Sequence, residues 1–270
     1  MERISVTELD EWQKCPHSFY LKGQGWRKRA APPPDPLAVG SMVGLAVEAR
    51  LTLGKQHVAQ ALRTYQEKYD LVDRSDLHEQ VMTCLDVMPE WVWEIQGAVT
   101  EDHIEHRYAT HWTGDFPHIV EVVGRPDIWY VDEWGIHIVE LKTCNVAYSG
   151  TARKLNDYAK YGAQPSRYAV LIRDAYPELD QLAIDRRHVV VSRKGFAAAS
   201  LPFELSDRAV DNARSDMLEL ARQAVTSAPV HSFGPLCGWC EFSPVCEGYV
   251  NGQDTVGILK EHFEQRKRRA

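Results

Sequence analysis

The chain lacks several features that would place it in a familiar class. It has no apolar run approaching the ~20 residues of a membrane-spanning helix, and its opening MERISVTELDEW has no apolar stretch typical of a secretory signal. It contains neither a Gly-x-x-x-x-Gly-Lys loop nor a Gly-x-Ser-x-Gly motif, which argues against P-loop ATPases and that class of serine hydrolase. No internal repeat is visible. We therefore expect a cytoplasmic protein without a membrane partner.

The chain also has fewer basic than acidic residues. Lys and Arg total 31 against 38 Asp and Glu, a net charge of -7, whereas a protein that coats DNA through charge alone is usually basic. An enzyme with metal-binding carboxylates can be acidic and still carry local basic patches. The C-terminal run 266–269 (RKRR) is one such patch, either a solvated helix end or a phosphate contact. Trp26, Lys28 and Arg29 could likewise contact a single strand or simply lie on the surface.

The first hundred residues are predicted to be mainly helical. A helix over 5–22 would start with Thr7 and Asp10 as its cap and break near Cys15, because Pro16 follows. The segment 30–36 (AAPPPDP) reads as a loop or extended segment. Apolar spacing then predicts helices over 37–72 and 76–98, so that 30–100 forms a helical section.

The pattern changes after residue 100. Enrichment in Ile, Val, Tyr and Trp predicts strands over 103–112, 119–131 and 136–142, and a buried strand over 187–193. Helices are predicted over 153–174 and 206–227, followed by a cysteine-rich segment 231–248 and a polar tail. Strands that bracket a helix, in a chain of 270 residues, indicate an α/β core with helical additions.

The segment 124–143 (GRPDIWYVDEWGIHIVELKT) carries the most informative pattern. If it is a hairpin centred between residues 133 and 134, Asp127 and Glu140 lie opposite each other, and Lys142 shares the face of Glu140. Two carboxylates can hold Mg²⁺ or Mn²⁺, and a nearby lysine can orient water or stabilise phosphate charge. On hairpin geometry alone, three charges on a solvated strand face are the simpler explanation. Against it, the strand is apolar on both faces and so reads as buried.

The cysteines form a second pattern. Cys237, Cys240 and Cys246 have the spacing C-x2-C-x5-C, and Cys15 would bring the number of thiolates to four. Four cysteines suit either a structural zinc or a 4Fe–4S cluster, and spacing alone does not choose between them. A disulfide framework is not expected in a cytosolic chain. Cys84 is predicted to lie in a helix core, and Cys144 has no assigned role. His103, His106 and His111 are not expected to form a zinc site.

These motifs resemble the RecB-like branch of the PD-(D/E)xK nuclease superfamily, especially its CRISPR-associated and helicase-associated members with an iron–sulfur cluster. Pro126-Asp127 and Glu140-Leu141-Lys142 match the core motif of that family. Gln164 and Tyr168 resemble its Gln-x-x-x-Tyr helix motif. The opening SVTELDEWQKCPHSFYLKG, which contains Cys15, resembles its N-terminal signature. The resemblance covers nearly the whole chain and is least distinctive over 50–100.

The resemblance implies a fold. It is a restriction-endonuclease-like core, a mixed sheet flanked by helices over 100–195, within a single nuclease domain over 1–270. The helical section 30–100 precedes that core. The segment 231–248 together with Cys15 forms the iron–sulfur region, and the four cysteines, Cys15, Cys237, Cys240 and Cys246, would ligate a 4Fe–4S cluster.

The resemblance also implies a metal-dependent DNA exonuclease that acts on single strands or duplex ends. Asp127, Glu140 and the main-chain carbonyl group of Leu141 would bind Mg²⁺ or Mn²⁺. Lys142 would assist the attacking water, and Gln164 and Tyr168 would position the strand. Possible partners are a helicase, a recombinase or a CRISPR adaptation complex.

One departure from the family pattern bears on activity. The family's helix motif of Gly, three residues and a metal-binding His corresponds here to Gly40 and Gly44, and glycine offers no ligating side chain. Glu48, one turn later, could substitute, although it reads more simply as a surface residue. Two alternatives to the nuclease therefore stay open. One is a weakly active or inactive DNA-binding or adaptor relative, and the other is a structural iron–sulfur protein.

Overall fold

The structure is a computed structural model that describes residues 2–28, 35–113 and 119–265. The chain divides into two compact units. We call the unit formed by 32–110 and 123–214 the sheet unit, and the unit formed by 1–31, 111–122 and 215–270 the cysteine unit. The single nuclease domain expected over 1–270 stays a prediction.

The helices are α1 (Val6–Lys14), α2 (Pro16–Gly23), α3 (Asp35–Thr52), α4 (Val58–Lys68), α5 (Ser75–Asp86), α6 (Trp91–Glu94), α7 (Tyr148–Tyr161), α8 (Gln164–Ala175), α9 (Asp207–Thr226), α10 (Ser243–Val250) and α11 (Thr255–His262). The strands are β1 (Glu2–Ser5), β2 (Trp26–Lys28), β3 (Tyr108–Trp112), β4 (Val120–Gly124), β5 (Ile128–Asp132), β6 (Gly135–Cys144), β7 (Ile184–Ser192), β8 (Phe196–Ala199), β9 (Phe203–Leu205) and β10 (Phe263–Gln265). Short 3-10 turns connect several of them.

The sheet unit is built on one mixed sheet with the order β5-β6-β7-β8, and β9 also pairs with β7. β6 and β7 are parallel, whereas β5 is antiparallel to β6, and β8 and β9 are antiparallel to β7. α3 packs against β6 and, with α5, shares a core with Val139 and Val189, while α7 and α8 pack against β6, β7 and β8. Leu155 of α7 meets Val190 on the other side. A mixed sheet flanked by helices confirms the predicted α/β class.

The central strand β6 explains this layering. Its residues 135–140 are buried on both faces, as expected for a strand covered by helices on each side. Because side chains alternate, Val139 joins the core under α3, while Cys144 joins the core under α7. The charged residues Glu140 and Lys142 therefore lie on a central strand whose other residues are mostly apolar.

Three predicted helices are interrupted. The helix over 37–72 breaks at Gly54, whose φ of 98° favours glycine. The helix over 76–98 ends at Asp86, shortly before Pro89. The helix over 153–174 is two helices, because the chain is extended at Gly162 and Pro165 begins a new helix at its first turn. The spacing of apolar residues correctly predicted helix within each of these segments. It did not indicate where one helix ends and the next begins.

The strand predictions are also corrected. The strand expected over 103–112 begins at Tyr108, and the one expected over 119–131 is divided into β4 and β5. The short strands β1, β2, β8, β9 and β10 were not predicted, because each owes its conformation to a partner strand rather than to its own periodicity. The proline-rich 30–34, Arg29 and the basic tail 266–269 lie outside the described residues.

The cysteine unit contains two helical pairs. The predicted break at Cys15 is confirmed, since α1 ends there and α2 starts at Pro16. The cap is Ser5 with Glu8, not Thr7 with Asp10, because the Ser5 and Glu8 side chains bond reciprocally to each other's backbone N–H. β2 pairs with β10, and α10 and α11 share a small core. That core contains Leu21, Phe242, Val245, Leu259 and Phe263.

Within the described part of the chain, none of the helices combines the length and the apolar character needed to cross a membrane.

A buried histidine ties β6 to its neighbours in the sheet unit. His137 contacts Asp132 through Nε2 at 2.7 Å and Asp185 through Nδ1 at 2.8 Å, and its ring stacks on Tyr130. Burial alone would lower the pKa of His137, but the two carboxylates outweigh burial and raise it. The protonated ring can donate to both carboxylates, so the ion triad favours folding while His137 is charged.

This triad predicts a pH dependence of stability. Because the folded pKa of His137 is raised, its contribution is complete below the unfolded value of about 6.5 and is lost as pH rises through the folded pKa. The free energy of unfolding of the wild type, relative to His137→Gln, should therefore fall as pH increases from about 6.5. Chemical denaturation between pH 6 and 9 measures it, and parallel curves for the two proteins would refute the linkage.

Candidate active site and cysteine cavity

The β5–β6 hairpin brings the predicted carboxylates together. Its register pairs Ile128 with Val139 and Asp132 with Gly135, so Asp127 and Glu140 form the next opposite pair. Asp127 Oδ2 accepts a hydrogen bond of 2.7 Å from the backbone N–H of Leu141. This is the arrangement expected from a hairpin centred between residues 133 and 134.

Glu140 is buried, with an exposed fraction of 2%. Its Oε1 accepts a hydrogen bond from Nζ of Lys142. Its Oε2 is among the buried polar atoms, within the described residues, that have no hydrogen-bond partner. Leaving a buried carboxylate oxygen unpaired costs about 1–3 kcal/mol or more, so this oxygen fits a cation ligand better than a structural role.

A cavity of about 760 Å³ opens beside these residues. Asp127, Leu141 and Lys142 line it from the strands, and small residues of α3 line it from the helix. Gly40 lets α3 approach β6, because a Cβ there would lie 3.2 Å from Oγ1 of Thr143. A Cβ at Gly44 would meet no atom within 4 Å. Position 44 therefore borders the cavity with room for a Cβ.

Glu105 joins the site and was not predicted from the sequence. It lines the same cavity as Asp127, and its backbone N–H donates to the carbonyls of Pro126 and Asp127 at 3.2 and 3.3 Å. Its φ of 49° lies in the left-handed region, which is uncommon for a residue with a side chain. Glu48, from α3, lines this cavity too. The only sequence signal was an isolated Glu before a strand.

The pKa values of all three carboxyl groups are raised. Burial, then the charge of Asp127, raises the pKa of Glu140 to about 8. Burial and the charge of Asp127 also raise the pKa of Glu105 to about 7. Burial raises the pKa of Asp127 itself, against the opposing effects of Lys142 and the Leu141 N–H. Burial would lower the pKa of Lys142, but Glu140 and Asp127 outweigh it and raise it.

The donor set fits a hard divalent cation. Asp127, Glu140, Glu105 and Glu48 share one region with only two cationic side chains, Lys142 and Arg125, which is too little charge to compensate all four carboxyl groups once they ionise. Oxygen ligands of this kind are those preferred by Mg²⁺ and Mn²⁺. Asp127, Glu140 and the carbonyl group of Leu141 would hold such an ion, with Glu105 as a further ligand. Bound there, the ion would polarise a phosphate oxygen and lower the pKa of a water.

Gln164 and Tyr168 occupy one turn of α8. Gln164 starts the helix, and Tyr168 is buried. The ring of Tyr168 packs against the end of β4, since a Cβ at Gly124 would lie 3.0 Å from its Cε1. Arg186 fixes the junction before α8 by donating to the carbonyls of Gly162 and Ala159, both at 2.9 Å. Tyr168 therefore packs within the sheet unit, and strand positioning by Gln164 and Tyr168 stays a prediction.

The four predicted cysteine ligands meet in the cysteine unit. Cys15, Cys237, Cys240 and Cys246 all line a cavity of about 690 Å³. Burial, followed by its cysteine neighbours, raises the pKa of the Cys246 thiol to about 11. The other two cysteines lie elsewhere, Cys84 buried in α5 and Cys144 buried at the end of β6 near Thr151.

The sequence of this chain matches one known superfamily over most of its length. The model of the PD-(D/E)XK nuclease superfamily matches residues 3–247. The chain belongs to the PD-(D/E)XK nuclease superfamily. Its members use divalent metals such as Mg²⁺ or Mn²⁺, which agrees with the donor set of the carboxylate site.

Solved structures give a fold comparison. The structure of the "Putative exonuclease" from Eubacterium rectale has 12% sequence identity and a TM-score of 0.53, and the match covers 88% of this chain and 87% of that one. At this identity the likeness concerns the fold. SSO0001 has 14% identity, with 91% and 85% coverage, but its TM-score of 0.41 is too low to carry an argument. No curated protein sequence matches the chain.

The carboxylate site predicts metal-dependent stability. Mn²⁺ should raise the free energy of unfolding of the wild type, by about 2.7 kcal/mol at a hundred times the dissociation constant. Glu140→Gln and Glu105→Gln should each reduce this gain, because each removes an anionic oxygen ligand. Thermal unfolding over a Mn²⁺ titration measures it. The exposed Glu178→Gln is the control and should respond as the wild type does. An undiminished gain in Glu140→Gln would show that the metal binds elsewhere.

Proposed function

We propose that the chain is a metal-dependent DNA exonuclease of the RecB-like branch, which hydrolyses phosphodiester bonds at DNA ends and prefers single strands. The observation that carries the proposal is the convergence of Asp127, Glu140 and Glu105 beside Lys142. Asp127, Glu105 and Lys142 line an open cavity, and one oxygen of Glu140 is buried without a partner among the described residues.

The side chains have separable tasks. Asp127 and Glu140 hold the cation, and the Leu141 N–H keeps the Asp127 carboxylate oriented through its hydrogen bond of 2.7 Å. Lys142 remains protonated because its pKa is raised, so its ammonium group can donate to the attacking water or to a phosphate oxygen. Glu140 positions Lys142 by accepting its hydrogen bond.

Action at DNA ends rests on the resemblance to RecB-like exonucleases. The Eubacterium rectale protein of similar fold also carries the name of an exonuclease. In keeping with this, Gln164 and Tyr168 on α8 would contact and support the strand near the carboxylates. Any helicase, recombinase or CRISPR adaptation partner stays a prediction.

Cleavage of end-labelled DNA tests the proposal. Single-stranded and double-stranded substrates are incubated with Mg²⁺ or Mn²⁺ and protein purified without oxygen. Lys142→Ala should lower the rate by about 10²–10³-fold, the effect typical of removing one transition-state donor. The exposed Lys154→Ala, on α7, changes charge equally and should leave the rate unchanged.

Three outcomes would contradict it. Cleavage that persists in chelator would exclude metal dependence, and equal rates for Lys142→Ala and the wild type would remove Lys142 from the mechanism. Cleavage of a circular single strand as fast as a linear one would exclude an end-dependent enzyme while leaving a nuclease.

A second candidate function is DNA binding without efficient cleavage. It is favoured by Gly44, which stands where the family has a metal-binding His. Under this alternative the carboxylates bind metal too weakly for turnover, and the protein retains a DNA-binding or adaptor role. Glu105, on the wall of the same cavity, argues against it because it offers an additional anionic ligand.

Replacing Gly44 with His distinguishes these functions. Position 44 lines the cavity, and a Cβ there would meet no atom within 4 Å. Gly44→His should tighten Mn²⁺ binding by about tenfold, near the lower end of what metal-site groups contribute. Gly44→Ala controls for the lost helix flexibility. If cleavage appears only in Gly44→His, the wild type is the inactive relative, whereas equal activity shows that the present ligands suffice.

We also propose that the four-cysteine cavity holds a 4Fe–4S cluster, as in the resembling family members. Among the described residues, no three of the four sulfur atoms lie within 4.8 Å of one another. Four sulfurs around a single zinc ion would be about 3.8 Å apart, so their wider spacing suits a larger group. The backbone N–H of Gly234 approaches Sγ of Cys237 at 3.4 Å, as in hydrogen bonds that support cluster sulfurs.

A further inference from the structure

Two histidines stand beside one of the cysteines in the cysteine unit. His17 from α2, His231 and Cys246 from α10 each offer one ligand atom, and these three atoms lie within 4.8 Å of one another. The three residues come from segments far apart in the sequence. Among the described residues, these are the three His, Cys, Asp or Glu side chains whose ligand atoms all lie within this distance of one another.

The two imidazoles are held in the form that can bind a metal. Their rings stack at 3.8 Å between centroids, an arrangement that two charged rings would oppose. Such stacking favours neutral rings, and a neutral imidazole keeps a free lone pair on one ring nitrogen.

One of the ring atoms lacks a partner. Nδ1 of His231 is buried without a hydrogen bond among the described residues. The opposite face of the His231 ring is covered by Tyr249, stacked at 4.3 Å. An unsatisfied buried nitrogen is costly in a packed site, and coordination would remove that cost. To bind a common ion the two histidine rings must tilt from their stacked arrangement, a change confined to side-chain torsions.

The ligand types select the metal. Two imidazoles and one thiolate form a mixed nitrogen–sulfur set, which suits zinc. Nitrogen and sulfur ligands of tetrahedral zinc lie about 3.4–3.8 Å apart, and the ligand atoms of this trio lie within 4.8 Å of one another. Cys15, Cys237 and Cys240 line the cavity shared with His231 and Cys246, so one of them or a water can complete the coordination.

We propose that His17, His231 and Cys246 form a zinc site, filled when the cysteine cavity holds no iron–sulfur cluster. Cys246 belongs to both ligand sets, so zinc and the cluster exclude each other. Zinc bound there would keep α2 tied to α10 and to the segment at His231 after loss of iron. Since metal binding contributes folding free energy, the cysteine unit would keep this connection.

Zinc binding to metal-free protein tests the site. The wild type and His262→Ala, an exposed histidine of α11, should each bind one equivalent of Zn²⁺. The double variant His17→Ala/His231→Ala should bind it at least tenfold more weakly. Iron and sulfide content after anaerobic reconstitution should be the same in all three proteins, because the four cysteines are intact. Equal zinc affinity in the double variant and the wild type would overturn the proposal.

A second measurement needs no variant. X-ray absorption of the zinc-loaded wild type counts the ligands, since Zn–N distances are about 2.0–2.1 Å and Zn–S distances about 2.3 Å. Two nitrogen ligands are expected, with one or two sulfurs. Four sulfurs and no nitrogen, or no zinc bound at all, would refute the site. Failure of the wild type to incorporate iron would instead count against the cluster and leave the zinc site standing.

Discussion

The central constraint on the sheet unit is the burial of Glu140 within the strand β6, opposite the partly buried Asp127 that precedes β5. Two carboxylates in such a place repel each other and lose hydration, and for this reason the pKa of Glu140 rises to about 8. Lys142 compensates part of this cost by bonding to Glu140. A bound cation would compensate the rest of this electrostatic cost. The buried carboxylates are therefore also the best candidate for the site of chemistry.

The cysteine unit meets a similar requirement with different ligands. Its cavity gathers thiols, and the thiol of Cys246 has its pKa raised to about 11 by burial and by the other cysteines. Carboxylate oxygens select hard cations such as Mg²⁺, whereas thiolates and imidazoles select zinc or iron–sulfur clusters. Under the proposals made above, the two sites would take different metals from the same solution, and His17 and His231 would widen the choice at the cysteine site.

Local sequence signals predict some elements of this chain more closely than others. The hairpin and the long helix α9 were predicted closely, because alternation and helical spacing are local signals. The helix expected over 153–174 is interrupted at Gly162, where the carbonyl is bound by Arg186 from β7. The cap was assigned to Thr7 although Ser5 makes the bonds. These errors arose where two competing local patterns were both plausible.

The sequence by itself determined the register that sets Asp127 against Glu140 and the face that Lys142 shares, because alternation along a hairpin leaves little choice. Its motif also pointed to the superfamily that the comparison assigns. Only the tertiary structure placed Glu105 beside Asp127, and His17 and His231 beside Cys246. The segments that carry these residues are far apart along the chain. The spacing of apolar residues within a segment does not indicate which distant segments pack together.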